Sequence, residues 1–340
     1  MLPPFRAGDV LRQRYKILSH IGQGGMGSIY QAEDLRLEGR LCAIKEVRGD
    51  PTLPPETQQQ ARDQFYREAS VLARLDYPNL PKVSDFFSDE GRDYLVMDYV
   101  PGRDLKAIMD EARQNGRFLP ESEVLGWAMQ LADALEHLHS QDPPIVHRDI
   151  KPSNLKLTPN GLLKLVDFGL VKLLLSDEER TVTIVQGVGT AHYTPLEQYG
   201  SDSGHTDART DIYSFGATLY HLLTNEPPAE ANQRFLRPAA LRLPRSLNPA
   251  VSSNTERAIS WAMALHPDER PPDIASFREA LRSGQMNLTL HDDGETIMVQ
   301  PPTIRLPSLA TPTDRYLLAV ALALLALAGM ATLFSPILPR

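Results

Sequence analysis

An α+β chain of two unlike parts followed by a membrane helix is what this sequence predicts, on three observations. Short runs rich in β-branched and aromatic residues crowd the first hundred residues. After residue 103 helical spacing takes over, most clearly from Glu121 to His139. Near the end, Tyr316 to Phe334 reads YLLAVALALLALAGMATLF without a charge.

A chain of 340 residues is long enough for a two-lobed enzyme domain and more. Its 42% hydrophobic and 23% charged residues are ordinary for a folded protein. The formal charge of -8 argues against a nucleic-acid partner. Cys42 stands alone, forms no intramolecular disulfide and is expected in the core. MLPPFRAGDV has no basic region followed by an apolar run, so no secretory signal is expected.

Residues 1–14 read as a short polar lead, and Tyr15 to Ile21 as a strand. That strand ends at Gly22-Gln23-Gly24-Gly25-Met26-Gly27. A dinucleotide-binding turn would need a helix next, whereas Ser28 to Ala32 is strand-like. A glycine loop between strands suits a flap whose bare N–H groups cover phosphates; a plain hairpin turn is the simpler alternative. Leu41 to Val47 is a further strand with Lys45 inside an apolar run, where a lysine usually snorkels.

Asp50 to Gln60 reads as a connector, and Gln64 to Leu75 as a helix through Phe65, Val71, Leu72 and Leu75. Taken alone, Glu68 on that helix is a solvated residue. Val83 to Phe87 and Tyr94 to Met97 are two more strands around Ser88-Asp89-Glu90-Gly91. The helix Glu121 to His139 buries Val124, Leu125, Trp127, Ala128, Leu131, Leu135 and Leu138, with His137 and His139 in packing or surface roles.

The chemistry concentrates in HRDIKPSNLKLTPNGLLKLVDFG, residues 147–169. Two charged clusters flank the strand-like run Leu162 to Val166, which follows the turn Pro159-Asn160-Gly161. Oxygen ligands on adjacent loops suit a divalent cation, and a separate carboxylate suits proton transfer. The order H-R-D-x-x-x-x-N, then D-F-G, resembles the catalytic and metal loops of the protein kinases. GGMGSIY, HRDIKPSN, GTAHYTPLEQY and TDIYSFG are similar to bacterial serine/threonine kinases of the eukaryotic (Hanks) type, over about residues 15–283.

The resemblance implies a two-lobed protein-kinase fold: a β-rich N-lobe (15–97) with one helix, a hinge (98–102) and a mainly helical C-lobe (103–283). It makes Asp149 the acceptor of the substrate hydroxyl's proton and Lys151 the neutraliser of the transferring phosphoryl. It gives Asn154 and Asp167 the metal, Mg²⁺ or Mn²⁺, and gives Lys45 the α and β phosphates of ATP, with Glu68 as its ion-pair partner. Ile21, Gly22, Gln23, Gly24, Gly25, Met26, Gly27 and Ile29 would cover the nucleotide. Ala43, Met97, Asp98 and Val100 would line the adenine pocket, and Asn154 would also face the phosphates.

Leu170 to Tyr193 would be the activation segment, with Thr181 or Thr183 autophosphorylated and ordered by Arg148. Leu196 stands where the family has proline before Glu197, a departure at the substrate-docking surface. Glu197 would pair with Arg270, and Asp211 would brace the catalytic loop through its backbone. Lys151 and Thr190 favour serine or threonine acceptors on protein substrates. The resemblance also admits a homodimer for trans-autophosphorylation, and a pseudokinase scaffold as the alternative function.

Helices are expected near Asn254 to Leu265 and Ile274 to Leu281. Residues 284–315 read as a disordered juxtamembrane linker, 316–334 as a transmembrane helix and 335–340 as a short external tail. About 19 residues at 1.5 Å each come close to the ~30 Å hydrocarbon core. Arg315, the use of ATP and reducing conditions put the kinase part on the cytoplasmic side of a bacterial cell membrane.

Overall fold

The computed structural model describes residues 4–24, 27–47, 52–167, 190–199 and 206–289. Gly25, Met26, Phe168, Gly169, Thr181 and Thr183 lie outside the described residues, as do the 316–334 span and the 335–340 tail. Among the described residues no helix is long and apolar enough to cross a membrane.

The N-lobe is an antiparallel sheet of β1 (Val10–Leu11), β2 (Tyr15–Gly24), β3 (Gly27–Asp34), β4 (Leu41–Val47), β5 (Val83–Asp89) and β6 (Arg92–Asp98). Its strands run in the order β1-β2-β3-β4-β6-β5. Side chains alternate across such a sheet, and the register decides which residues meet. Ile29 faces Lys45, Lys45 faces Leu95 and Ala43 faces Met97, so these residues share one face. The other face carries Tyr30, Cys42, Ile44, Tyr94 and Val96, which close into a separate small core. Expected ligand contacts and expected packing thus fall on opposite faces.

The N-terminal lead is built into this sheet. Val10 and Leu11 pair with Lys16 and Tyr15, and Leu11 is buried. Phe5 packs edge-on against Tyr30 at 5.6 Å, closing the small core. The polar-lead reading is corrected: two apolar side chains among charges suffice where a sheet offers an open edge and an aromatic pocket.

Helix α1 (Pro55–Leu72) begins inside the expected connector. Proline at its first position costs no intrahelical bond, Glu56 suits the positive helix end, and the glutamines that follow are good helix formers. Between β5 and β6, Glu90 and Gly91 both take positive φ, the geometry of a tight hairpin.

Beyond the hinge, a small sheet of β7 (Arg103–Asp104), β8 (Leu155–Leu157) and β9 (Leu163–Leu165) carries the catalytic loops. Gly102 is required at its entrance: with φ +105, an added Cβ would lie 2.1 Å from the Leu157 carbonyl oxygen. The helices are α2 (Leu105–Gln114), α3 (Glu121–His139), α4 (Ala208–Thr224), α5 (Ala231–Leu236), α6 (Pro244–Leu247), α7 (Ser253–Ala262) and α8 (Ile274–Thr289). Asp104 caps α2 by accepting from Ala107 N–H, a cap that sequence reasoning passed over.

From Thr210 to Thr224 every residue of α4 is buried, so it is the axis of the C-lobe. Gly216 lets α7 approach; a Cβ there would meet the Ala262 methyl at 2.8 Å. Helix α8 runs beyond the expected end of the domain at 283. The result is two lobes, a β-sheet N-lobe and a helical C-lobe, the architecture that the resemblance implies.

Candidate active site

The site is assembled around a buried carboxylate. Asp211, near the start of α4, accepts from the backbone N–H of His147 and of Arg148, each at 2.8 Å. The His139 ring nitrogen lies 2.9 Å from the same carboxylate. Burial pushes Asp211 up, but the His139 bond, the nearby histidine charges and the Arg148 N–H outweigh it and hold the carboxyl below its ordinary range. Pointing two successive N–H groups at one carboxylate bends the loop sharply, and Arg148 sits at φ 66. His139 therefore has a bonding role inside the fold as well as packing.

This bend presents Asp149. Its Oδ2 accepts from Lys151 Nζ at 2.9 Å and from Asn154 Nδ2 at 3.0 Å. Asn154 also donates to the Asp149 carbonyl at 2.8 Å, which fixes the loop on itself. Lys151 reaches on to the Thr190 hydroxyl at 3.2 Å, tying the catalytic loop to the end of the activation segment. The resulting unit is a held carboxylate with an ammonium beside it.

Asp167 closes the second loop. Val166 N–H donates to the Asn154 carbonyl at 2.8 Å, the Asn79 backbone carbonyl accepts from Leu165 N–H at 2.8 Å, and the Asn79 side-chain amide donates to the Leu163 carbonyl at 2.8 Å. Asn79 is a buried positioning group that no motif in the sequence marks. Asp167 takes φ 64, which aspartate tolerates better than most residues.

Lys45 forms an ion pair with Asp167. Among the described residues the expected Lys45–Glu68 pair is not formed. Glu68 instead accepts from Gln64 Nε2 at 2.7 Å, and Gln64 is itself held by Arg67 at 2.7 and 3.0 Å. Burial pushes the Glu68 carboxyl up to about 7, against the Gln64 bond and the Arg148 and Arg67 charges. A helix pattern shows which face carries Glu68, but neither the placement of α1 nor the rotamer that chooses between Gln64 and Lys45.

On the ligand face of the sheet, Ile29, Ala43, Lys45 and Met97 come together as the register requires. Gln23 faces Ser28 and Gly24 faces Gly27 across the hairpin, bringing Gly22 beside Ile29, while Ile21 is 44% exposed. Gly27 has φ +153, and an added Cβ would lie 1.8 Å from the Glu46 carbonyl oxygen. At the hinge, Asp98 N–H is taken by the Lys82 carbonyl at 3.0 Å. Val100 is buried, and among the described residues none accepts from its N–H. An orphan N–H beside an apolar sheet face, under a bare glycine strand, fits a nucleotide base and its phosphates.

Asn154 spends its amide nitrogen on Asp149, which leaves its oxygen, with the Asp167 carboxylate, for a hard cation. Among the described residues no group of three or more His, Cys, Asp or Glu is placed to hold a metal ion. A cation held here would take its remaining ligands from phosphate and water.

Behind the site, Arg270 makes a bidentate pair with Glu197 at 2.6 and 3.0 Å. It also donates to the carbonyls of Ala264, Leu265 and Arg209. The Glu197 and Asp211 expectations are thus met by direct bonds, despite Leu196 in the docking segment.

The protein kinase domain model matches residues 15–282. Serine/threonine-protein kinase PrkC of Bacillus subtilis is 33% identical over 307 residues, covering 86% of this chain and 45% of the relative. The probable serine/threonine-protein kinase PknB of Lactococcus lactis is 31% identical, covering 87% and 47%. The chain spans less than half the length of these curated relatives. Among solved structures, the apo form of PpkA-294 is similar with TM-score 0.66 at 28% identity, over 82% of this chain and 99% of that one. A point mutant of the Mycobacterium tuberculosis PknI kinase domain follows with TM-score 0.62 at 25% identity, over 83% and 100%. Rad53, solved with AMP-PNP, shares the fold at 22% identity and TM-score 0.61. This chain belongs to the protein kinase family, among relatives named as bacterial serine/threonine-protein kinases.

Proposed function

We propose that the protein is a membrane-anchored serine/threonine kinase that transfers the γ-phosphoryl of ATP to protein hydroxyls. The supporting observation is the Asp149–Lys151–Asn154 cluster held against Asp167 by the Asp211 brace. Kinase domains use ATP and a divalent metal; here the metal would be Mg²⁺, with Mn²⁺ as substitute. Bound ATP supplies the phosphoryl group, and the cation neutralises its charge.

Asp149 accepts the proton of the acceptor hydroxyl, and Lys151 keeps positive charge beside the transferring group. Asn154 and Asp167 would hold the cation, and the glycine strand with Ile29, Ala43, Met97, Asp98 and Val100 would hold the nucleotide. Positioning and charge neutralisation supply most of the rate in such a transfer. The described arrangement is a resting one, since Glu68 is held by Gln64 while Lys45 pairs with Asp167.

Activation includes autophosphorylation of Thr181 or Thr183, between two copies of the chain, with the phosphate paired to Arg148. The apolar run 316–334 anchors the chain in a bacterial cell membrane with the kinase domain in the cytoplasm. Full-length protein in detergent with Mg-ATP and a generic protein acceptor tests the activity. Phosphate on serine or threonine supports it, and none at any protein concentration contradicts it. Phosphopeptides lacking Thr181 and Thr183 modification would remove the activation step, and recovery in the soluble fraction would remove the anchor.

A further inference from the structure

One segment of the C-lobe surface differs in charge from the acidic chain as a whole. From Ala231 to Thr255 there are four arginines and no acidic residue, against a net charge of -8 overall. Within it Phe235 is 68% exposed, Leu236 79% and Leu243 55%. Arg237, Arg242 and Arg245 are exposed between and beside them.

The apolar side chains are not the free end of a loose loop. Arg234 donates to the Tyr213 hydroxyl at 3.0 Å, the Tyr220 hydroxyl to the Arg242 carbonyl at 3.0 Å, and Asn248 to the Leu223 carbonyl at 2.8 Å. Three anchors on or beside α4 therefore fix the segment to the axis of the C-lobe and leave its outer side in water. Arg242 has a partner in Glu226, at 3.4 Å between two solvated side chains, which binds it weakly. The Glu256 carboxylate accepts from the Arg245 backbone N–H at 2.8 Å, and among the described residues no ion pair engages the Arg245 guanidinium.

From these observations we infer that residues 235–245 are a docking surface for an anionic phospholipid bilayer. Interleaved arginines and large apolar groups match the two layers of such a surface: phosphate headgroups outside and acyl chains just beneath. The arginines of this segment are opposite in charge to that surface, whereas the chain as a whole, at -8, is not. The inference rests on the anchoring proposed above. About 26 residues of sequence separate α8 from the apolar run, so the lobe and the run are tethered in one chain. Docking is then an intramolecular event at high effective concentration, so a patch too weak to bind a membrane alone suffices. Each arginine brought to an anionic surface is worth about a fivefold change in partition.

The test uses the full chain carrying Ala239→Cys, labelled with an environment-sensitive fluorophore and reconstituted into vesicles. Ala239 is exposed inside the patch, and the native Cys42 is buried with its thiol pushed up to about 11, so it stays unlabelled. Flotation with the vesicles reports the anchor by itself; a chain that floats in neither composition defeats the anchoring reading and this inference with it. Given flotation, phosphatidylglycerol-containing vesicles should blue-shift the probe relative to pure phosphatidylcholine. Salt should reverse the shift, and Arg237→Glu with Arg245→Glu should weaken docking by roughly 25-fold or more. Equal emission in both lipids, a shift that survives charge reversal, or one that tracks protein density rather than lipid charge would overturn it, the last pointing to contact between chains.

Discussion

Gln64 donates its side-chain amide to Glu68 across 2.7 Å, one helical turn earlier on α1. The bond satisfies one oxygen of a buried carboxylate that would otherwise have strong cause to seek Lys45. Lys45 meanwhile pairs with Asp167. The resting arrangement is therefore held by a small polar contact and by burial, both open to test.

Gln64→Leu removes the contact while keeping helix propensity. A hydrogen bond to a charged group is worth about 1.5–3 kcal/mol, so the resting arrangement should lose enough stability to raise initial autophosphorylation about tenfold. Initial rates at fixed ATP read this directly; an unchanged rate would mean that Gln64 does not restrain Glu68.

The Glu68 carboxyl gives a pH signature. Its folded value is raised to about 7 from 4.5, so the folded state keeps a proton that the unfolded chain releases. Stability from this group is intact below about pH 4.5, falls as pH rises through the window, and is lowest above about 7, by about 3 kcal/mol. Glu68→Gln lacks this titration. Urea unfolding should show the variant gaining on wild type between pH 5 and 8, and a gap that stays constant or reverses would contradict the buried placement.

Arg270 is the place to expect the largest single loss of stability. Its guanidinium is fully buried and meets Glu197 and three carbonyls. Arg270→Met leaves a carboxylate without its counter-charge, costing about 3–5 kcal/mol, or roughly 6–20 °C in melting temperature for a domain this size. Adding Glu197→Gln should recover part of the loss. If it deepens the loss instead, the carbonyl bonds matter more than the ion pair.

Asp211→Asn separates bracing from chemistry. The amide keeps one acceptor and loses the charge that holds the His147 and Arg148 N–H groups. The turnover number should drop about 10–100-fold while the KM for ATP stays nearly constant. A change confined to KM would place Asp211 in nucleotide binding rather than loop geometry.

The sequence shows the loops and hides the switches. Asp149, Asn154 and Asp167 are legible because the H-R-D-x-x-x-x-N and D-F-G patterns set them at short, local spacings. Glu121 to His139 is legible because nine buried residues recur with the helical period. Glu68 is not, because its partner depends on how α1 packs, a tertiary choice that an 18-residue helix pattern does not carry. Val10 and Leu11 escape notice because a two-residue strand has no period, and Asn79 because one buried amide has no motif.

The most direct measurement compares wild type with Asp149→Asn in full-length protein, reading both nucleotide binding and phosphoryl transfer. Asparagine preserves the shape and the bonds from Lys151 and Asn154 in part, and removes the base. ATP affinity should change less than about threefold, while transfer to serine and threonine should fall by about 100-fold or more. Transfer that continues at a comparable rate in the variant would contradict Asp149 as the proton acceptor, and with it the account of this site.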